Sequence, residues 1–483
     1  MKFNKLAVAV TSAVLLMAGN VALADSTSDI VNVLVDKGIL TPEEGKLISK
    51  NSVDEKKKAQ KEAGKIKISE AIDSLTLYGD VRVRLEDREV TGLVDAGTKQ
   101  GSGTLTRFRG KFLLGMTATS GDFYTDFALS TGGKGRSDNY TMGQSGTIGS
   151  GLYAKGGDQA IAVNRAMIGW KLADWITVEA GRMKNPLYTT QMVWDADLPV
   201  EGLTEKLSYN YGGINLFANL GQYQYEGVAS APNYYFNDGS AGKTVKTIQL
   251  FATQVGLQGD ITSSTNGKAA VTYYSYNNGD AANGTASGGN LGVFTPMSTT
   301  GSYNSSVGMG VNNLSVVEVP AEINYMAFNN VGVRFYGDYA VNLTAQQRAN
   351  AAGYKGGLTV ARGDNGNDYA YLAGIVVGSA PDLKSFAANK MKQGDWQARL
   401  WYQEIGMWSI DPNAVDSDFM DGRVNTKGWV AKAQYNLRDN VMVNLSGGYG
   451  QVLDKRYGLG GYGDMTTNFS HLGLVQTDLT WKF

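Results

Sequence analysis

Cysteine is absent from this chain, and histidine occurs once, as His471. The first absence excludes disulfides, thiolate metal sites and haem attachment through C-x-x-C-H. The second leaves one position for a histidine base, and no G-x-S-x-G motif accompanies it. No catalytic residue, cofactor site or metal site is therefore read from the chain. Charge of one sign is also missing: the formal net charge is −1. No global field draws in nucleic acid, which is excluded as a partner. Beyond Ala24, no stretch reaches the ~18 unbroken apolar residues that a spanning helix needs.

What is present points to strands. The 483 residues include 62 Gly, 26 Tyr and 8 Trp but only 8 Pro. Tyrosine and glycine in many short alternating stretches suit β-structure with aromatic girdles. The segment Leu474–Phe483 has Val475, Thr477, Leu479, Trp481 and Phe483 on one parity and Gln476, Asp478, Thr480 and Lys482 on the other. A period of two puts these rows on opposite faces of one strand. An apolar face against a polar one suits a barrel with lipid outside and water inside. At the other end, Lys2 and Lys5 precede an apolar run from Leu6 to Ala18 and then Ala22-Leu23-Ala24. That order is expected of a signal peptide over 1–24, with a mature start at Asp25.

Residues 25–73 read as a short helical periplasmic module. Gly38 stops a first helix, and Thr41-Pro42-Glu43-Glu44 starts a second with an N-cap, a proline and first-turn acids. A helical hairpin with a basic linker at Lys56-Lys57-Lys58, a contact to peptidoglycan and a plug in a pore are all open readings.

From about Ser74 the chain breaks into sixteen alternating segments: 75–87, 106–119, 122–131, 163–172, 175–184, 204–210, 213–223, 244–258, 268–277, 317–328, 331–342, 367–378, 395–405, 428–437, 441–449 and 471–483. Each is near the ~9–11 residues of a tilted spanning strand. The fold class expected is all-β: a transmembrane antiparallel β-barrel of about 16 strands over 74–483. Tight turns such as Ser120-Gly121, Ala173-Asp174, Tyr211-Gly212, Asn329-Asn330 and Arg438-Asp439-Asn440 alternate with long Gly/Ser/Asn-rich loops. Short turns on one side and long loops on the other fit an outer-membrane barrel. The connections 259–267 and 379–394 are long for the short side.

Alternation also assigns the lumen. Val81, Val83 and Leu85 alternate with Arg82, Arg84 and Glu86, and Phe108, Phe112 and Leu114 with Arg107, Arg109 and Lys111. Ile168, Trp170 and Leu172 alternate with Arg165 and Lys171. Charge facing lipid at the midplane costs ~2–4 kcal/mol. Arg82, Arg84, Arg107, Arg109, Lys111 and Arg165 are therefore expected on the water side as a basic wall. Arg334 with Asp338, and Arg399 with Glu404, are read as further lumen charges.

The stretches YGDVRVRLE (78–86), RFRGKFLLGM (107–116), VNRAMIGWKLADWITVEAGRMKNP (163–186), VWDADLPVEGL (193–203) and TDLTWKF (477–483) together resemble the "Putative porin" family of Gram-negative outer membranes. The resemblance implies a passive diffusion channel for small hydrophilic solutes or ions, set in outer-membrane lipid. Being similar in architecture to general porins, it also implies a homotrimer and an inward-folded loop between the fifth and sixth strands. That loop, 185–203, carries Asp195, Asp197 and Glu201, which would face the basic wall across an eyelet. The alternative function is a barrel sheath, or an anchoring or adhesion protein, in a larger envelope complex.

Overall fold

A computed structural model describes residues 41, 43, 71–94, 100–132, 137–143, 161–226, 248–277, 314–328, 331–346, 367–379, 392–454, 459, 464–465 and 469–483. The signal peptide, nearly all of the helical module, the turn Asn329-Asn330 and most of the long loops lie outside the described residues.

Seventeen strands form one sheet among the described residues. In chain order they are β1 (Ser74–Val94), β2 (Gln100–Ser120), β3 (Phe123–Ser130), β4 (Tyr140–Thr141), β5 (Ala162–Ala173), β6 (Ile176–Lys184), β7 (Pro199–Tyr211), β8 (Ile214–Glu226) and β9 (Ile248–Thr262). Next come β10 (Thr265–Asn277), β11 (Ser315–Phe328), β12 (Val331–Asn342), β13 (Tyr369–Gly378), β14 (Trp396–Ile405), β15 (Thr426–Arg438), β16 (Val441–Val452) and β17 (His471–Lys482). The two-residue β4 only caps β2, pairing Arg109 with Thr141. The other sixteen match the alternating segments one for one. Each pairs antiparallel with the next, and β3 pairs directly with β5. The ring closes where Asp80–Thr91 of β1 lies against His471–Lys482 of β17. Gly79 and Phe483 exchange both backbone hydrogen bonds there, at 2.9 and 3.0 Å. Closure leaves no open sheet edge in the hydrocarbon, which is the condition for a sheet to span a membrane.

The short side has two-residue turns. In the β7–β8 turn, Gly212 and Gly213 have φ of +57° and +86°, the left-handed region that glycine enters without strain. The connection expected to run over 259–267 shrinks to Ser263-Ser264, because β9 and β10 pair down to Thr262 and Thr265. The link after Gly378 stays long, and most of it lies outside the described residues.

The two faces separate as the alternation requires. Val83, Leu85, Phe108, Ile168, Phe335, Leu445 and Leu479 are exposed on the outside of the ring, while Arg84, Glu86, Arg88, Arg109 and Arg165 are buried within it. Outward aromatics collect at two heights. On the long-loop side Tyr402 meets Trp429 at 4.9 Å between centroids and Tyr449 meets His471 at 6.1 Å. On the short-turn side Phe123 meets Trp170, and Trp481 meets Phe483, both at 5.3 Å. Such belts sit at membrane–water interfaces because one end of each ring is apolar and the other tolerates water.

Candidate functional site

The inward rows of β1 and β2 carry Arg82, Arg84, Glu86, Arg88, Arg107, Arg109 and Lys111. A cluster of guanidinium groups inside a barrel is tolerable only if carboxylates answer them. Glu86, with no exposed side-chain surface, is the hub: Arg88 lies at 3.0 Å, Arg107 at 2.6 Å, Arg109 at 3.6 Å and Arg84 at 3.9 Å. Arg84 also meets Asp478 of β17 at 2.7 Å, and Arg165 of β5 meets Asp126 of β3 at 2.9 Å. Arg82 donates to Asn139 at 2.7 Å. Lys111 lies 3.1 Å from Asp138 and 3.7 Å from Asp197. The basic residues named from the sequence are thus on one wall, but as a compensated network and not as a bare positive surface.

Two loops fold against the inward rows. The first, 185–198, joins β6 to β7. Its backbone is held by a side chain two strands beyond β7: Gln254 of β9 accepts from the Tyr188 N–H and donates to the Tyr188 carbonyl, both at 2.9 Å. The Thr189 hydroxyl donates to Glu318 of β11 at 2.6 Å, and the Thr190 hydroxyl to Asp338 of β12 at 2.5 Å. Its own Met192, Val193 and Trp194 are buried.

The second loop, 406–425, joins β14 to β15 and was not foreseen from the sequence. Met407, Trp408, Ile410, Val415, Phe419 and Met420 are all buried. Tyr225 of β8 and Tyr276 of β10 donate to Asp411 at 2.7 and 3.1 Å. At its other end Asp418 meets Arg84 at 3.0 Å and Asp421 meets Arg88 at 2.7 Å. The missed signal was compositional. The apolar residues from Met407 to Met420 follow no strand or helix period, yet are too many for a solvated loop.

The loops join each other. The Asp195 N–H donates to the Ala414 carbonyl at 2.6 Å, the Asp416 N–H to the Gln191 carbonyl at 3.1 Å, and the Ser417 N–H to the Asp195 carboxylate at 3.2 Å. Beside this seam lies a cavity of about 290 Å³. Asp195, Asp197, Asp416 and Asp418 line it from the loops; Arg82, Arg84, Lys111 and Lys432 line it from the wall. Burial, reinforced by the charge of Asp416, pushes the Asp195 carboxyl well above the usual carboxylate range. Burial pushes Asp197 the same way, but Lys111 and Arg82 outweigh it and hold that carboxyl low.

Three sequence-based placements need correction. The loop ends at Leu198, because β7 starts at Pro199 and pairs with β6 up to Lys184. Glu201 is therefore a strand residue, half exposed and ion-paired with Arg182. It shares the outward parity of Leu203 and not the inward parity of the buried Thr204, so it does not face the basic wall. Glu404 is five residues from Arg399, an odd step, and so points out of the ring. There it accepts from the Tyr402 hydroxyl at 2.5 Å in the upper aromatic belt. Arg334 and Asp338, an even step apart, are both buried on the inner face, as expected.

The family model described as "Putative porin" matches residues 96–303 and 290–447. The chain belongs to this family. The porin also resembles solved barrels in fold. Pseudomonas putida OprB shares 10% identity, with 84% of this chain and 94% of that one covered, at a TM-score of 0.44. Salmonella typhi OmpF, in a complex with daunomycin, shares 13% identity over 86% and 100% of the two chains, also at 0.44. An anion-selective porin from Comamonas acidovorans shares 11% identity over 85% and 99%, at 0.41. No curated protein matches the porin in sequence. Family membership points to a porin-like channel rather than to an enzyme.

Proposed function

We propose that this porin is a passive diffusion channel for small hydrophilic solutes or ions, narrowed to an eyelet by loop 185–198. The observation that carries the reading is the clamp on that loop. Gln254, Glu318 and Asp338, on three different strands, all bond residues 188–190. Arg399 of β14, on the opposite side of the ring, donates to Gln191 at 2.7 Å, and a loop that reaches the opposite wall narrows the lumen. A sheath, by contrast, keeps its lumen clear for a partner.

Sieving follows from the size of the gap, and charge bias from the acids of the loop opposite Arg82, Arg84 and Lys111. Arg107, Arg109 and Arg165 extend that lining. A homotrimer agrees with the outward face of β6–β8. Arg182, Glu201, Glu205 and Gln222 stand there where lipid favours apolar residues, and Gln222 donates to Glu205 at 2.9 Å. A protein neighbour accommodates such a row better than hydrocarbon does.

The reading is tested by adding purified, folded protein to planar bilayers. Stepwise conductance is expected without any partner; silent bilayers after verified insertion would sink it. The lining is tested by cysteine substitution, with no native thiol to interfere. Cysteine at Arg82 or Lys111 should react with a membrane-impermeant thiol reagent, whereas cysteine at Val83 or Ile168 should stay protected by lipid. The reverse pattern overturns the face assignment.

A further inference from the structure

A second cavity, of about 220 Å³, lies on the inner face near the short-turn end of the ring. Asn215 of β8, Gln258 and Asp260 of β9, and Asn266 and Lys268 of β10 line it, within a few residues of the turns Gly212-Gly213 and Ser263-Ser264. Tyr188 of loop 185–198 borders it too. The Tyr188 hydroxyl donates to Glu322 of β11 at 3.2 Å, and its ring meets the Lys268 ammonium at 4.3 Å. The ladder sets these side chains in two rows. Asn215, Gln258, Lys268 and Glu322 are successive cross-strand partners, and Asp260, Asn266 and Asn324 form the next inward row toward the turns.

Hydrogen bonds within the wall decide which end of each amide is left over. Asn215 commits its N–H groups to Ser208 at 2.7 Å and Asn210 at 2.9 Å, so its carbonyl oxygen remains. Asn266 is fixed the other way. Its carbonyl accepts from Asn324 at 2.9 Å, and Asn324 accepts in turn from Arg334 at 2.7 Å, so the Asn266 N–H groups remain. The side chains of Gln258 and Asp260 have no hydrogen-bond or ion-pair partner among the described residues. The cavity therefore offers open donors and open acceptors side by side. Its charges cancel, Lys268 and Arg334 against Asp260 and Glu322, with Arg334 3.8 Å from Glu322. A surface whose charges cancel holds a bare ion weakly. A hydroxyl both donates and accepts, so a solute with several hydroxyls can use both kinds of open end at once.

We propose that this cavity is a binding subsite for an uncharged, polyhydroxylated solute of about the size of a monosaccharide, on the short-turn side of the constriction. This rests on the channel reading above. The size follows from the volume, which falls below the ~300–1,000 Å³ of pockets for drug-sized ligands. Gln258, at the centre of the lining, donates to one hydroxyl and accepts from another. The Asp260 carboxylate and the Asn215 carbonyl accept, and the Asn266 amide donates. Weak holding suits a channel, because a passing solute must leave as readily as it enters.

The experiment is a titration of D-glucose onto single channels of the purified porin in planar bilayers. Glucose is expected to lower the pore current in a saturable way, by more than it lowers the conductivity of the bulk electrolyte. Gln258→Ala should raise the half-blocking concentration about tenfold, the order of one to two net hydrogen bonds. Asp260→Ala should act in the same direction, and it keeps the test decisive if the first variant inserts poorly. Glucose supplied from the short-turn side should bind faster than glucose from the long-loop side, which must first pass the constriction. A wild-type current that glucose does not block, or a block that neither variant weakens, overturns the proposal and leaves the channel intact. Block by zwitterionic glycine at concentrations where glucose has no effect also overturns it. Silent wild-type bilayers would instead remove the channel reading itself.

Discussion

Replacing Asp421 by leucine is expected to cost the fold about 3–5 kcal/mol, the usual penalty for removing one partner of a buried ion pair. Asp421 does three things at once. It holds Arg88, whose side chain is 1% exposed, at 2.7 Å. It accepts the backbone N–H groups of Asp464 and Met465 at 2.8 and 2.9 Å. It also adopts φ of +63°, a conformation that aspartate and asparagine tolerate and leucine resists. Leucine would remove the carboxylate and strain the turn. Arg88 would be left with Glu86, a carboxylate that three other arginines already surround, and with the more distant Asp418 at 3.9 Å. Asp421→Asn separates these effects, since it keeps the turn and one acceptor but drops the charge; a smaller loss of about 1.5–3 kcal/mol is expected. Urea unfolding of the protein in lipid vesicles measures both. If Asp421→Leu cost less than ~1 kcal/mol, the lower edge of what one such charged contact is worth, the loop would not be riveted to β1.

The second large effect comes from a single step along β16. Leu445 is exposed on the outward row, midway between Val441, which pairs with Trp481 of the lower belt, and Tyr449 of the upper one. Leu445→Arg places a cation near the bilayer midplane, and a loss of ~2–4 kcal/mol is expected. Its neighbour Asn444 points inward, lines the cavity and pairs across the ladder with Asp478. Asn444→Arg should therefore fold and remain heat-resistant, while moving the pore toward anions. The same residue type, one position apart, should give opposite outcomes in a heat-shift gel. Equal stability of the two variants would contradict the face assignment of the whole strand, because a slip by one residue inverts every side chain.

Much of this was legible because lipid imposes a strict code. Where a strand crosses hydrocarbon, alternate residues must be apolar, so Val83, Leu85, Phe108 and Ile168 announce the outside and the arginines between them the inside. The code weakens where lipid does not reach. β1 runs on to Val94, past the expected end at residue 87, because its outward Asp87 and Glu89 broke the alternation while the ladder to β17 continued to Thr91. Glu201 misled for the same reason: an outward charge in β7 resembled loop sequence. Loop 406–425 was hidden more deeply. Its residues are positioned by partners more than a hundred residues away in sequence, such as Arg88, Tyr225 and Tyr276, and no local period records such contacts. The carboxylates that answer the basic wall come from β1, β3, β17, the residues before β4 and both inward loops, so composition could supply the balance of charge but not the pairing.

Closure of the ring also sets the order in which the protein can mature. β1 is among the first strands made and β17 is the last, yet they are neighbours, and Arg84 must find Asp478 across a separation of 394 residues. Until β17 arrives, β1 and β16 each present an unpaired edge, and unpaired edges invite aggregation. Contacts of such high sequence separation are slow to form, because loop-closure entropy is spent before they reward it. An unclosed sheet must therefore be shielded until β17 pairs with β1. Substitutions along the β1–β17 seam should accordingly show themselves first as slow assembly, with unfolding of the finished barrel less affected.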